Sequence, residues 1–237
     1  MRRRERLRAE TTAEIKKVAL ELMAAGGPDA ITLRAIAREM GMTANAIYGY
    51  FATRDDLVST LINDVSTALA DALDTAWEST SSKDPATRIR AWAGAFRSWS
   101  LANPQGFRLI FGDPVPGYHA PEGGPAPHAI RRICTGLVAL AAAAWPHARY
   151  MYAGGEFDWS DFDPELAEEA RSAFPSLPPA AVALALRIRG HLHGFVSLEV
   201  YGHTQAQMLN PDKLFQDELT QLVKALALPD HAVQRAN

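Results

Sequence analysis

ITLRAIAREMGMTANAIYGYFATRDDLVSTLI, residues 31–62, is the stretch whose reading decides the fold. Thr32 suits an N-cap, and Leu33, Ile36, Ala37 and Met40 follow at the three- and four-residue spacing of one buried helix face. Gly41 ends that helix after about two turns. Thr43 caps a second short helix that carries Ala46, Ile47, Tyr50 and Phe51. Thr53, with Asp55 and Asp56 in the first turn where exposed N–H groups favour negative charge, opens a third. Its apolar positions Leu57, Leu61, Ile62, Val65, Leu69 and Leu73 continue to about Trp77.

Upstream, a helix is expected over Ala9–Ala25, with Ile15, Val18, Ala19 and Leu22 facing inward and Gly26-Gly27-Pro28 as its stop. Downstream, a polar break at Ser79–Asp84 precedes a helix over Pro85–Ala102, and Pro104 opens a short amphipathic piece through Phe111. A Pro/Gly-rich loop fills Gly112–Pro127, and a helix spans about Ala129–Ala144, ending before Pro146. Residues 149–178 are acidic and irregular, with a short helix at Pro164–Ala173. Long apolar-rich helices follow, from Pro179 to about His203 and from Pro211 to about 227. No segment alternates with the period of a strand, so the chain is expected to be all-α. The pattern divides into a small N-terminal three-helix domain, 1–54, and a larger helical domain, 55–237. The helix from Arg54 is long enough to enter the second, so no flexible linker is expected and motion in one domain can be felt in the other.

The 237 residues carry a net charge of −3, distributed unevenly. Residues 1–60 sum to +2 and residues 61–237 to −5, and Arg2, Arg3, Arg4, Arg6 and Arg8 face a lone acid, Glu5. Such an arm can neutralise phosphates in a slightly acidic molecule; it is equally what a solubilising tail looks like. No apolar run is long enough to cross a bilayer as a helix, and no signal segment follows the basic start, so a cytoplasmic protein is expected. Cys134 is the only cysteine, which excludes an internal disulfide, and no cofactor or metal motif is visible. No nucleophile–His–acid spacing or phosphate-cradling glycine loop suggests an enzyme.

Helix, tight glycine-containing turn and short helix is the form that places its second helix in a DNA major groove. Thr43, Ala44 and Asn45 give that helix a small leading edge, which lets the backbone approach base edges; Asn45 can pair with adenine and the alanines can touch a thymine methyl. Tyr50 and Arg54 are placed to anchor phosphates, as are the hydroxyls of Thr32 and Thr43. A small packed core also produces such helix pairs, and spacing alone leaves both readings open. The run 31–62 resembles the signature of TetR/AcrR-type transcriptional repressors: a Thr-initiated helix, a turn ending in Gly, a short helix ending Tyr-x-x-Phe, and a basic residue three positions beyond that Phe. The resemblance implies double-stranded operator DNA as partner. It assigns Thr32 and Thr43 to phosphates, Ala44, Asn45 and Gly49 to bases, Tyr48 and Tyr50 to the DNA backbone, and Arg54 to phosphate in place of the usual Lys. Arg4 and Arg6 join them as arm cations.

In the larger domain, Trp92, Phe96, Trp99, Phe107 and Phe111 cluster in sequence, and Trp145, Met151, Phe195 and Tyr201 can meet them in a bundle. Aromatic walls suit a largely apolar effector, although helical aromatics at this spacing also build ordinary cores. RGHLHGFVSLEVYGHT, residues 189–204, puts His191, His193, Glu199 and His203 on one helix, with His193 and Glu199 as candidate ligand contacts. Glu199 and His203 stand four apart, too few ligands for a metal site. Gly190, Gly194 and Gly202 suggest close approach of another helix. The pairs His193-Gly194 and Leu198-Glu199, and the stretch NPQGFRLIFGDPVPGY, are similar to a TetR/AcrR subgroup with a Trp…His-Gly motif, with Arg189 where the Trp is expected. That similarity implies a homodimer through helices 179–203 and 211–227.

Overall fold

The computed structural model describes residues 3–80, 84–152 and 154–229; Arg2 of the basic cluster and 81–83 of the polar break lie outside them. Among the described residues the regular structure is helical throughout: α1 (Arg3–Gly26), α2 (Leu33–Glu39), α3 (Ala44–Tyr48), α4 (Arg54–Ser79), α5 (Pro85–Ala102), α6 (Pro104–Phe111), α7 (Pro127–Tyr152), α8 (Pro164–Ala173), α9 (Pro179–Val200) and α10 (Pro211–Ala225). The chain folds as two compact units. The first runs up to Ala68 and adds Asn103–Ala129; the second holds Leu69–Ala102 and the chain from Ile130 onward.

The first unit closes around Ile15 and Ala19 of α1, Ile36 of α2, Ile47 of α3 and Leu57 and Leu61 of α4. Leu109 of α6 and Val115 of the following loop complete this core. Thr32 Oγ1 accepts from Ala35 N at 3.1 Å and Thr43 Oγ1 from Ala46 N at 3.2 Å, so both short helices begin where their caps predict. Gly41 turns between them at φ +63°, a conformation that suits glycine. Thr53 and Asp56 exchange hydrogen bonds of 3.0 Å in each direction, a capping box that starts α4. In the second unit, Ile188, Leu192 and Val196 of α9 and Phe215 and Leu219 of α10 are buried, and α5 packs on both helices.

Three elements differ from the sequence expectation. The first helix begins at Arg3 rather than Ala9: arginine, glutamate and leucine favour helix without any apolar period to announce it. The α7 helix passes through Pro146 instead of stopping before it. Proline removes one N–H and strains one turn, but Ala148, fully buried just beyond it, holds the helix in the core. At the other end of the chain, α9 stops at Val200 because Gly202 adopts φ +80°. His203 N donates to Leu198 O at 2.8 Å and Gly202 N to Glu199 O at 3.0 Å, the paired closure of a Schellman cap. Gly202 is therefore a stop, not a packing surface.

Candidate nucleic-acid interface and ligand cavity

The cap at Thr43 fixes where α3 begins, and burial of Ile47 fixes which face it turns inward. Asn45, Tyr48 and Gly49 are left exposed on the other face, with Ala44 half-buried beside them. Tyr48 keeps 48% of its surface in water, a large exposed ring next to small neighbours. Each cap uses one lone pair of its threonine, so the exposed hydroxyls of Thr32 and Thr43 retain an O–H to donate. Arg4 and Arg6 are exposed on α1, Arg6 within 3.6 Å of Glu10. Arg34 and Arg38 are exposed on α2 and add cations that the sequence reading did not single out.

Two arginines are held on the protein's own backbone. Arg8 Nη2 donates to Gly49 O at 2.8 Å, and its guanidinium lies 4.9 Å from the Tyr50 ring centre. This joins α1 to the end of α3, and only the local sign of charge at residue 8 hinted at it. Gly49 has an ordinary helical φ of −68°; a Cβ there would stand 3.2 Å from Ala46 O, so space rather than backbone freedom favours glycine. Arg54 donates to Ile31 O at 2.6 Å, Pro116 O at 2.7 Å and Pro28 O at 3.3 Å. Its half-buried guanidinium thus clamps three carbonyls of two backbone segments, 28–31 and the loop at Pro116, whereas the sequence expectation put it on a phosphate.

The second unit contains a cavity of about 470 Å³. Leu73 and Trp77 of α4, Trp92 of α5, Ala139 of α7 and Phe174 just past α8 form its apolar wall. Asp74, Arg131, Arg132, Thr135 and Gly136 complete the lining. Of the expected ligand contacts, Trp92 lies on it, with Phe96 stacked behind at 5.9 Å. The others lie elsewhere. Phe107 and Phe111 belong to the first unit, 5.0 Å apart. Met151 is 70% exposed, and Trp99, Trp145 and Phe195 are half-buried off the lining.

Nor do the polar residues of α9 form one cluster. His193 lies 6.4 Å from Phe96, and burial, then the charge of Arg189, pushes its imidazole below the ordinary value. Glu199 is locked by Arg97 at 2.7 Å, and Arg97 also meets Asp212 at 2.5 Å, which raises the guanidinium pKa further. His191 reaches Glu218 at 3.4 Å, while His203 lies beyond the helix beside Tyr201. No group of three or more His, Cys, Asp or Glu among the described residues is arranged to hold a metal ion.

Comparison with known proteins decides the family. Residues 15–61 match the family described as bacterial regulatory proteins, tetR family, and residues 89–222 match the tetracyclin repressor-like C-terminal domain. The HTH-type transcriptional regulator Rv1816 of Mycobacterium tuberculosis is 31% identical over 231 residues, covering 93% of this chain and 94% of that one. This chain belongs to the TetR family. A TetR-family chain is a DNA-binding transcriptional regulator. Among solved structures, the regulatory protein SCO4313 superimposes with a TM-score of 0.71 at 32% identity, over 93% of this chain and 98% of that one. A tetR-family regulatory protein from Rhodococcus RHA1 shares the fold at TM-score 0.61 and 18% identity, over 92% and 98% of the two chains. In this TetR-family regulator the first match spans α1 to the start of α4, which is the surface built from Thr32, Thr43, Asn45 and Tyr48. No helix among the described residues is long and apolar enough to cross a membrane.

Proposed function

We propose that this chain is a homodimeric, cytoplasmic repressor that leaves its operator when a small, largely apolar molecule occupies the second unit. The observation that carries the reading is the exposed edge of α3, where Ala44, Asn45, Tyr48 and Gly49 stand clear of the core on a helix begun by Thr43. In this reading residues 1–54 read DNA and 55–237 sense ligand and dimerise. Asn45 and the backbone near Gly49 approach bases. Thr32, Thr43, Tyr48 and Tyr50 hold the DNA backbone, and Arg4 and Arg6 supply longer-range attraction to phosphate. Arg54 acts one step back, by fixing the loops that carry these groups.

Dimerisation is supported by α9, which leaves Leu186 and Leu198 exposed in a single chain, with Tyr201 exposed just past its end. An added Cβ at Gly190 or Gly194 meets nothing within 4 Å, so that face has room for a closely packed helix of a second copy. The pairs His193-Gly194 and Leu198-Glu199 support a likeness to the subgroup with a Trp…His-Gly motif, with Arg189 standing at the Trp position. Effector action requires tighter binding to the conformation that does not fit the operator, and α4, which contributes residues to both units, is the element that carries the difference. Titration of selected operator DNA against the purified protein is expected to give saturable binding that weakens with salt and collapses for Asn45→Ala. Equal affinity for scrambled DNA overturns the proposal, as does a monomer in sedimentation at working concentration.

A further inference from the structure

The cavity in the second unit has a charge arrangement that the sequence did not disclose. Arg132 Nη2 meets Asp74 at 2.6 Å and Asp71 at 2.7 Å, and its Nε meets Asp74 at 2.9 Å. Hydrogen bonds that Arg132 donates to these carboxylates, Asp71 first, hold its guanidinium pKa above the ordinary value. Arg131 Nε meets Glu169 at 2.6 Å. The charged residues that line the cavity, Asp74, Arg131 and Arg132, are thus each partnered. The rest of the wall is aromatic or aliphatic apart from the Thr135 hydroxyl and the Trp92 indole N–H, which stands 3.5 Å from where a Gly136 Cβ would be. One face of Trp77 is covered by the Arg88 guanidinium at 4.4 Å, so that indole is already occupied as a seat for a cation.

We infer that this cavity selects an electrically neutral, ring-bearing molecule with one small hydrogen-bonding group, and turns away ionised relatives of the same skeleton. The inference rests on the reading of the second unit as the effector-sensing part. An anion entering here meets Arg131 and Arg132 with their charge already offset by Glu169, Asp71 and Asp74, and a cation meets carboxylates already offset by arginine. These pairs are solvent-exposed, so either ion finds little net attraction to set against the water it sheds at the apolar wall. A neutral ring sheds no such water and covers apolar wall. The volume suits a compact bicyclic or tricyclic molecule. Selectivity thus arises from pairs that are closed before the ligand arrives.

The test uses the full-length protein and three probes that share a naphthyl skeleton: N-phenyl-1-naphthylamine, its sulfonated relative anilinonaphthalene sulfonate, and a naphthyl trimethylammonium salt read by displacement of the neutral dye. The neutral dye is expected to bind at least roughly tenfold tighter than either ion. Gly136→Leu and Ala139→Phe, made separately and checked for native helix content, are expected to abolish its binding. Charge exchange gives the sharper readout. Asp71→Asn with Asp74→Asn leaves Arg132 unpartnered and should raise sulfonate affinity, while Arg132→Met leaves the two carboxylates unpartnered and should raise ammonium affinity. Tighter binding of either ion by the wild type, indifference to both filling variants, or no response to the charge exchanges overturns the inference. Operator binding is measured on the same samples. Its loss with dye selectivity intact overturns the functional reading alone, and retained operator binding without selectivity overturns the cavity assignment alone.

Discussion

The two units place their cations differently. In the first, Arg4, Arg6, Arg34 and Arg38 stand in solvent on α1 and α2, where they add little to the fold and, under the proposed function, act at a distance on a polyanion. In the second, Arg97, Arg131 and Arg132 are each closed onto carboxylates of other helices. Arg8 and Arg54 apart, which hold backbone carbonyls, arginine serves the first unit as reach and the second as fastening. The difference teaches that net charge, read along a sequence, conflates two uses whose energetic and functional signatures separate cleanly.

Mutations can break that comparison, and the largest effect is expected where a fastening is buried. Glu199→Ala leaves the Arg97 guanidinium, whose side chain is 12% exposed, with only the outlying Asp212. A loss of about 3 kcal/mol is expected in urea unfolding, with operator affinity per folded molecule unchanged. Arg54→Met removes three carbonyl contacts and should cost about 2 kcal/mol. The slope of log affinity against log salt should stay put; a slope smaller by about one would return Arg54 to the phosphate role. Thr43→Ala deletes a cap and should cost about 1 kcal/mol, along with weaker operator binding.

A smaller, pH-dependent effect is expected at His193. Burial, then Arg189, holds its pKa below the ordinary 6.5, so the unfolded chain takes the proton first. The stability that His193 contributes is full above 6.5 and falls as the pH drops through it toward the lowered native value. In His193→Gln that slope should vanish from unfolding curves taken between neutral and mildly acid pH. Least of all, Arg6→Ala should change stability by under about 0.5 kcal/mol, yet reduce the salt slope by about one. A thermal melt and a salt titration on one sample check both halves.

Much of the fold was legible because helices announce themselves locally. Thr32, Thr43 and Thr53 act on groups three residues away, and Gly41 acts at its own φ, so the start of α2, α3 and α4 could be read from neighbours. Two positions depart from the expectation, one through a distant contact and one through a local cap. Pro146 was read as a stop because the burial of Ala148 is invisible in a window. Gly202 was read as packing because its cap depends on the backbone reversing there. The candidate site divides the same way. The edge of α3 that carries Ala44, Asn45, Tyr48 and Gly49 lies within six consecutive residues and could be read from neighbours. The cavity draws its walls from α4, α5, α7 and the turn after α8, and a run of aromatics in sequence caught Trp92 alone. Arg54 sat at a legible position, but its partners include Pro116, 62 residues on.

The contact of Arg8 with Gly49 O and the Tyr50 ring bears on engineering. A specificity transplant between relatives can exchange the short helix and its turn as a cassette. Here the Gly49 carbonyl within the cassette is held by a side chain forty-one positions upstream, so residue 8 travels with it as part of the grafted unit. A chimaera that brings residues 41–51 from a donor without the donor's residue 8 should dock its new helix at the wrong tilt.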